Sequence, residues 1–431
     1  MTKEILKKII IKILELESRL VVKKYKPRIV AVTGNLGKTS AKDAIYTVLS
    51  GHFFVRKSDK SFNSDIGIPL AILGCPTGWN NPAIWLKNIL NGLELIFLKN
   101  HYPKWLVLEV GADRPGDIKK ISKWLRPDVV VVTGFGEIPV HVEFFSSVAD
   151  LVKEKSYLVK AVKNGGTVIL GSDDKYSIGM KEDTGEKIVT YGFGEEAAVR
   201  ASHQSVLYDE NKLPAGMTFK LNYGANSVPI NIMGTVGRAQ INSVLAAMAV
   251  GVSEGLNIVS SAESVSKHET PPGRLRIIKG RKGSVILDDT YNSSPKAISD
   301  ALDALLEIKT KGKKIAILGD MMELGKYSRG EHEKAGEKAA KIVDTLAVVG
   351  LRAKFIAEGA IAAGMPKEKI LYFENSSEAG LYLSGLLGKD SVVLIKGSQS
   401  TRMERAVEKL MLSPENRADL LVRQEKEWLE R

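Results

Sequence analysis

Arg28-Ile-Val-Ala-Val-Thr33, followed by Gly34-Asn35-Leu36-Gly37-Lys38-Thr39-Ser40, is the stretch on which the reading of the fold turns. The first six residues are short, apolar and rich in β-branched side chains, the composition of a strand covered on both faces. Gly34 ends the run, and a helix is predicted from about Thr39 to Leu49. Strand, glycine loop and helix in that order suit a phosphate. Glycine backbone lets N–H groups close around phosphate oxygens, and the helix N-terminus adds a favourable dipole. Lys38 is placed to neutralise terminal phosphates and Thr39 to reach Mg2+. Gly-x-x-Gly-Lys-Thr is not the standard phosphate-loop spacing, whose first glycine would fall at Val32.

Working outward, buried strands are predicted at 105–110, 128–133 and 167–170, with helices at 117–125 and 147–163 between them. Strand and helix alternate, which argues for a parallel α/β sheet. Residues 82–100 form a strongly apolar helix, read as a packing helix; Trp85, Phe97 and flanking lysines leave a membrane contact open. From 185 to 233 the pattern shortens into strand-like pieces, a β-rich flap, and 238–256 returns to helix. Pro271-Pro272-Gly273 punctuates the chain. Beyond it, strands are predicted at 284–288, 315–318, 345–349 and 391–395. The fold class is therefore α/β: a central P-loop-type, mostly parallel sheet domain at 28–265, then a smaller Rossmann-like α/β domain at 266–431. An amphipathic basic helix fills 1–27.

Composition narrows the function classes. The chain has 431 residues, of which 44% are hydrophobic and 26% charged, so it can build two or three cores. One cysteine, Cys75, excludes a disulfide framework and a cysteine-held metal cluster, and fits a reducing, cytoplasmic setting. The net charge is +12, and residues 1–28 hold nine Lys/Arg against three Glu, half of the excess. Charge gathered on an arm without a recognised motif argues against nucleic-acid binding. The arm is read either as a helix packed on the next domain or as one docked on an anionic membrane surface. No signal peptide and no transmembrane helix are expected.

Three further positions draw notice. Glu109 closes the strand Trp-Leu-Val-Leu-Glu, where a carboxylate at the end of a parallel strand beside a phosphate loop suits Mg2+. His141 follows another strand end, and Lys155 lies fourteen residues on. Taken alone, such a His is more often a structural hydrogen-bonding group, and such a Lys a solvated one.

The collinear set of motifs resembles the ATP-dependent Mur ligases of peptidoglycan synthesis, with the D-alanyl-D-alanine-adding type nearest. It runs from the loop through Phe62-Asn63-Ser64-Asp65-Ile66-Gly67-Ile68-Pro69-Leu70, Glu109-Val110-Gly111-Ala112 with Pro115-Gly116, Arg126-Pro127-Asp128, and the His141 and Lys155 pair. It continues through Pro272-Gly273-Arg274-Leu275, Asp288-Asp289-Thr290-Tyr291-Asn292-Ser293-Ser294-Pro295, Leu318-Gly319-Asp320-Met321-Met322-Glu323-Leu324-Gly325 and Lys396-Gly397-Ser398.

The resemblance implies roles. Gly34, Asn35, Gly37, Lys38, Thr39 and Ser40 would cradle ATP phosphates, with Thr39 and Glu109 on a first Mg2+. His141 and Lys155, the latter carbamylated, would hold a second Mg2+. Arg274 and Asp289 would reach ATP phosphate and ribose, and Asn292 would lie near the adenine. Asn63, Lys396 and Ser398 would meet the substrates.

Two departures qualify it. Family members carry a separate N-terminal uridine-binding domain, whereas 27 residues precede the first strand here. In Gly237-Arg238-Ala239-Gln240-Ile241-Asn242-Ser243 the family often shows His at the Ala239 position and Asn at the Ser243 position, so Asn242 is the candidate replacement; Gln399 stands where Arg is common.

The implied function is an ATP-dependent amide ligase working through an acyl phosphate, adding D-Ala-D-Ala or a similar amine to a cell-wall precursor carboxylate. Its substrates would be small molecules, a carboxylate donor and an amino acid or dipeptide, and the enzyme a monomer. The alternatives are the same chemistry on another carboxylate, such as a cofactor or lipid-linked intermediate, or a nucleotide-dependent scaffold without catalysis.

Overall fold

The computed structural model describes residues 3–59 and 62–430; Met1 and Thr2 of the predicted arm, Lys60, Ser61 and Arg431 lie outside it. It begins with α1 (Lys3–Tyr25), β1 (Arg28–Thr33), α2 (Lys38–Ser50), β2 (Val55–Lys57), α3 (Gly67–Leu73), α4 (Pro82–Phe97) and β3 (Trp105–Glu109). There follow α5 (Asp117–Ile121), β4 (Val129–Val132), α6 (Val148–Lys160), β5 (Thr167–Gly171), α7 (Lys175–Gly179) and β6 (Lys187–Gly192). Then come β7 (Val199–Tyr208), β8 (Pro214–Tyr223), β9 (Asn226–Met233), α8 (Arg238–Ser253) and α9 (Ile258–Val265).

All nine strands join one sheet in the order β2-β3-β1-β4-β5-β6-β7-β8-β9. Strands β2 to β7 pair parallel, and β7, β8 and β9 antiparallel. Alternation decides which residues fill which layer. Val30, Val32, Val129 and Val131 pack with Ile45 and Val48 of α2 and Val244 and Met248 of α8. Ile29, Ala31, Val130 and Val132 face the other way, against Leu14 of α1, Ile68 of α3 and Leu151 of α6. Covering on both faces explains why β1 and β4 read as unbroken apolar runs.

The stretch 185–233 corrects one expectation. It is no flap. Tyr191 pairs with Val199, so the antiparallel β7–β9 meander extends the parallel sheet directly. Phe219, Leu221 and Ile230 of that meander enter the same core as α2 and α8.

A second sheet is built from β10 (Arg276–Lys279), β11 (Val285–Asp289), β12 (Lys314–Gly319), β13 (Thr345–Val349), β14 (Ile370–Phe373) and β15 (Val392–Lys396). Its order is β10-β11-β15-β12-β13-β14, parallel apart from β10. Around it lie α10 (Pro295–Glu307), α11 (Ser328–Ala339), α12 (Lys354–Ala362), α13 (Ser376–Leu386) and α14 (Glu404–Leu410). The connection between the sheets is tied down at its end. Thr235 Oγ1 donates to Leu275 O at 2.8 Å, and Ile277 N donates to Gly234 O at 2.8 Å. The C-terminal strand ends β1, β3, β11 and β15 thereby face a common cleft, the usual place for a ligand on open parallel sheets.

Candidate active site

The glycine loop is shaped by two positive-φ glycines. Gly34 has φ 129°, and a Cβ there would lie 2.2 Å from Thr133 Oγ1. Gly37 has φ 71° and opens α2. Asn35 N and Leu36 N both donate to Gly134 O, at 3.0 and 2.8 Å. These two amides brace the loop on β4, so the donors left for an anion are those of the first turn of α2. The side-chain amide of Asn35 is buried with neither its nitrogen nor its oxygen paired.

Around the start of α2 the charged and polar groups interlock. Thr39 Oγ1 donates to Glu109 Oε2 at 2.9 Å, and Asn63 Nδ2 donates to Glu109 Oε1 at 2.9 Å. Arg274, from the approach to β10, donates through Nη2 to Thr39 Oγ1 at 3.2 Å and lies 4.0 Å over the Tyr291 ring. Its backbone oxygen accepts from Gln240 Nε2 at 2.8 Å, and its Nε is buried without a partner. Lys38 lies 3.4 Å from Asn35 O. Loss of hydration lowers its pKa, partly offset by Glu109 and deepened by Arg274.

Opposite them, His141 holds φ 68° at the start of a short 3-10 turn. Its Nδ1 stands 2.6 Å from Glu323 Oε2, and its Nε2 3.8 Å from Asp113 Oδ1. The His141 hydrogen bond keeps the Glu323 carboxyl below its ordinary range. Gly325 N donates to Glu143 Oε2 at 3.3 Å, a second bridge between the two halves. Lys155 is fully buried on α6, and desolvation, reinforced by Lys38, lowers its pKa to about 7.

These groups surround a cleft of about 550 Å3 that draws on both sheets. Asn35, Gly37, Lys38, Thr39, Ser40, Asn63, Glu109, His141, Arg274, Asp289, Asn292 and Lys396 all line it. Asp289 does not point free: its Oδ2 pairs with the buried Lys396 Nζ at 2.7 Å, and Lys396 also donates to Asn292 O at 2.9 Å. Three residues that the sequence singled out stand behind the wall: Gly34, Lys155 and Ser398. Ser398 is buried, and its Oγ accepts from Met322 N at 2.9 Å. Asn242 lines a neighbouring cavity of about 350 Å3, with an unpaired buried Oδ1.

Asp113, Arg114, Gln240, Tyr291 and Glu323 also line the main cleft and carried no predicted role. Only motif membership marked Tyr291 and Glu323, since nothing local to either reveals a partner so far along the chain.

Among the described residues no three His, Cys, Asp or Glu side chains are gathered as a metal site. Thr39 with Glu109 is nevertheless an oxygen pair of the kind Mg2+ uses when phosphates supply further ligands. His141, occupied by Glu323, and Lys155, a potential cation, do not form a second such set as they stand.

Residues 32–251 match the Mur ligase middle domain, and residues 273–399 match the Mur ligase, glutamate ligase domain. The chain belongs to the Mur ligase family. Among its relatives is the UDP-N-acetylmuramoyl-tripeptide--D-alanyl-D-alanine ligase of Bacillus subtilis (strain 168), 27% identical across 90% of this chain and 76% of that one. The enzyme of the same name from Escherichia coli (strain K12) is 26% identical across 89% of this chain and 76% of its own length. MurF ligase from Thermotoga maritima in complex with ADP superposes with a TM-score of 0.75 at 25% identity, covering 95% of this Mur ligase and 84% of that chain. MurF from Acinetobacter baumannii gives a TM-score of 0.75 at 24% identity over 92% of this chain and 79% of that one, a likeness of fold.

Proposed function

We propose that this Mur ligase couples a carboxylate to an amine at the expense of ATP, with D-alanyl-D-alanine or a similar dipeptide as the amine and a peptide-bearing cell-wall precursor as the donor. The observation that carries it is the Lys38–Thr39–Glu109 group at the head of α2, met by Arg274 from the other half of the chain. The related enzymes named for this reaction, and the ADP-bound neighbour, support the same reading.

In this reading residues 28–265 hold the nucleotide and residues 266–431 close over it. The donor carboxylate oxygen attacks the γ-phosphorus, the bond to the bridging oxygen breaks, and ADP leaves. The amine then attacks the acyl carbon, and the C–O bond breaks to give amide and phosphate. Lys38 and Arg274 would offset charge on the equatorial oxygens of the transferring group. Poor hydration of Lys38 makes an incoming phosphate a strongly favoured partner, because it restores the ammonium that burial disfavours. The first-turn N–H groups of α2 and the Asn35 amide would orient the phosphates, and Ser40 lies beside them. Asn242 and Asn292 are placed for the base, and Asp289, once freed from Lys396, for the ribose. Mg2+ held by Thr39 and Glu109 would neutralise phosphate charge and polarise the γ-phosphoryl group.

Lys155 is the candidate for carbamylation. A pKa near 7 leaves much of the amine neutral at physiological pH, the form that adds CO2. The carbamate would exchange a buried cation for oxygens, and a second Mg2+ fits the donor set only after that exchange. The Glu323 and Glu143 bridges would keep the closed form together and water away from the acyl phosphate. This enzyme would act as a cytoplasmic monomer on small-molecule substrates.

The test is phosphate release from ATP and Mg2+ against a panel of carboxylate donors, with and without D-Ala-D-Ala. Release that needs both a muramoyl-tripeptide donor and the dipeptide supports the proposal. Release with a different carboxylate selects the same chemistry on another donor, and release indifferent to any donor removes the ligase reading.

A further inference from the structure

Helix α4 carries apolar residues on two faces, and Trp85, Ile89, Leu95 and Ile96 pack inward against the core. Its buried positions are Asn88 and Gly92. Leu86, Leu90, Leu93 and Phe97 recur at helical spacing and point outward; Phe97 is 78% exposed. A helix docked only on its own protein would keep that outer face polar.

Helix α1 lies against it. The Glu17 carboxylate packs on Gly92, where a Cβ would fall 2.2 Å from Glu17 Oε2. Further along both helices, Lys24 Nζ donates to Leu95 O at 2.9 Å and Tyr25 OH donates to Leu95 O at 3.0 Å. The two contacts advance in the same sense, so the helices run side by side and parallel. Leu14 and Val21 anchor α1 in the core, while Leu6, Ile9, Leu16 and Leu20 stay exposed. Helical spacing sets these four on the flank of α1 that turns toward α4, and Lys8, Lys12 and Lys23, all exposed, along the stripe's other edge.

We propose that α1 and α4 together form a docking face for an anionic membrane surface. The occupant is chosen by charge. Half of the net +12 lies in residues 1–28, so a second copy of the chain, meeting its twin through the same patch, would set lysine row against lysine row. An anionic bilayer takes the apolar stripe at its interface and the lysines among its headgroups. No helix among the described residues is long and apolar enough to cross a membrane, so the pair lies in the interface. The docking face uses no residue of the catalytic cleft and does not depend on the reaction assigned to it.

Cosedimentation of the full chain with phosphatidylcholine vesicles, with and without phosphatidylglycerol, tests this. Binding should need phosphatidylglycerol and weaken in high salt. The double variant Leu90→Gln/Phe97→Gln should lose most of it. Lys8→Gln/Lys12→Gln should weaken it by about five-fold for each lysine removed. Unchanged melting temperature and ATP turnover in both variants show that the fold stands. Absence of binding to anionic vesicles, or binding that neither variant changes, overturns the proposal. So does a dimer in light scattering that Leu90→Gln/Phe97→Gln splits while vesicle binding persists.

Discussion

Arg274 Nη2 lies 3.2 Å from the hydroxyl of Thr39, across the junction between the two sheets. The pair ties the head of the phosphate-loop helix to the strand that opens the second half of the chain. If Thr39 meets ATP phosphate as proposed, a nucleotide bound there would also lie within reach of Arg274.

Arg274→Ala should therefore lower kcat/KM for ATP by about 10- to 100-fold, the range for loss of a charge-assisted hydrogen bond. Arg274→Lys should recover only part, because one ammonium cannot both reach Thr39 and stack on Tyr291. Steady-state kinetics with melting curves as the folding control check this. Near-normal turnover in a folded Arg274→Ala protein would remove Arg274 from the site.

Lys38→Met should abolish ATP turnover and leave the melting temperature equal or higher. Lys38 is held in a setting that disfavours its charge, so an apolar replacement removes a cost from the ligand-free protein. Phosphate release above a small fraction of the parent rate would contradict the phosphate-loop assignment.

Lys155 should carry a carbamate when bicarbonate and Mg2+ are present, visible as a 13C carbamate signal with labelled bicarbonate. With the amine pKa near 7, its reactive neutral form grows as pH rises through that value, so the signal should grow between pH 6 and 8. Lys155→Ala should be nearly inactive and partly rescued by short carboxylic acids. A fully active Lys155→Ala variant would defeat the assignment.

Glu17 gives a pH dependence unrelated to catalysis. Its carboxylate is buried against Gly92 with both oxygens unpaired, and burial raises its pKa to about 7. A carboxyl raised on folding favours the native state while protonated. Its contribution is full below the unfolded value near 4.5 and is lost as pH rises through about 7. Glu17→Gln should then raise the melting temperature at pH 8 by about 2–4 °C and change it little at pH 5. Equal shifts at both pH values would show that the carboxyl does not titrate there.

Much of this was legible in the sequence because the physics is local. The apolar run 28–33 is β1 to the residue, and the strands foreseen near 105, 128, 167, 285, 315, 345 and 392 are all present. What escaped was short or depended on distant partners. Strand β2 has three residues, too few to show a period, and β10 is held by its antiparallel neighbour β11. The 185–233 meander reads as separate strand pieces because nothing in its own residues states that Tyr191 will pair with Val199. At the site, loop and strand-end residues could be found from spacing. The Glu323 partner of His141, 182 residues away, could not, nor could the engagement of Lys396 by Asp289.

The central claim is an acyl phosphate formed in the cleft shared by Lys38 and Arg274, and oxygen transfer tests it most directly. With a donor whose carboxylate carries 18O in both positions, attack on the γ-phosphorus sends one labelled oxygen into phosphate and leaves the other in the amide. One 18O in each phosphate released, in step with amide formed, is the predicted result. Phosphate free of label while amide accumulates would contradict it.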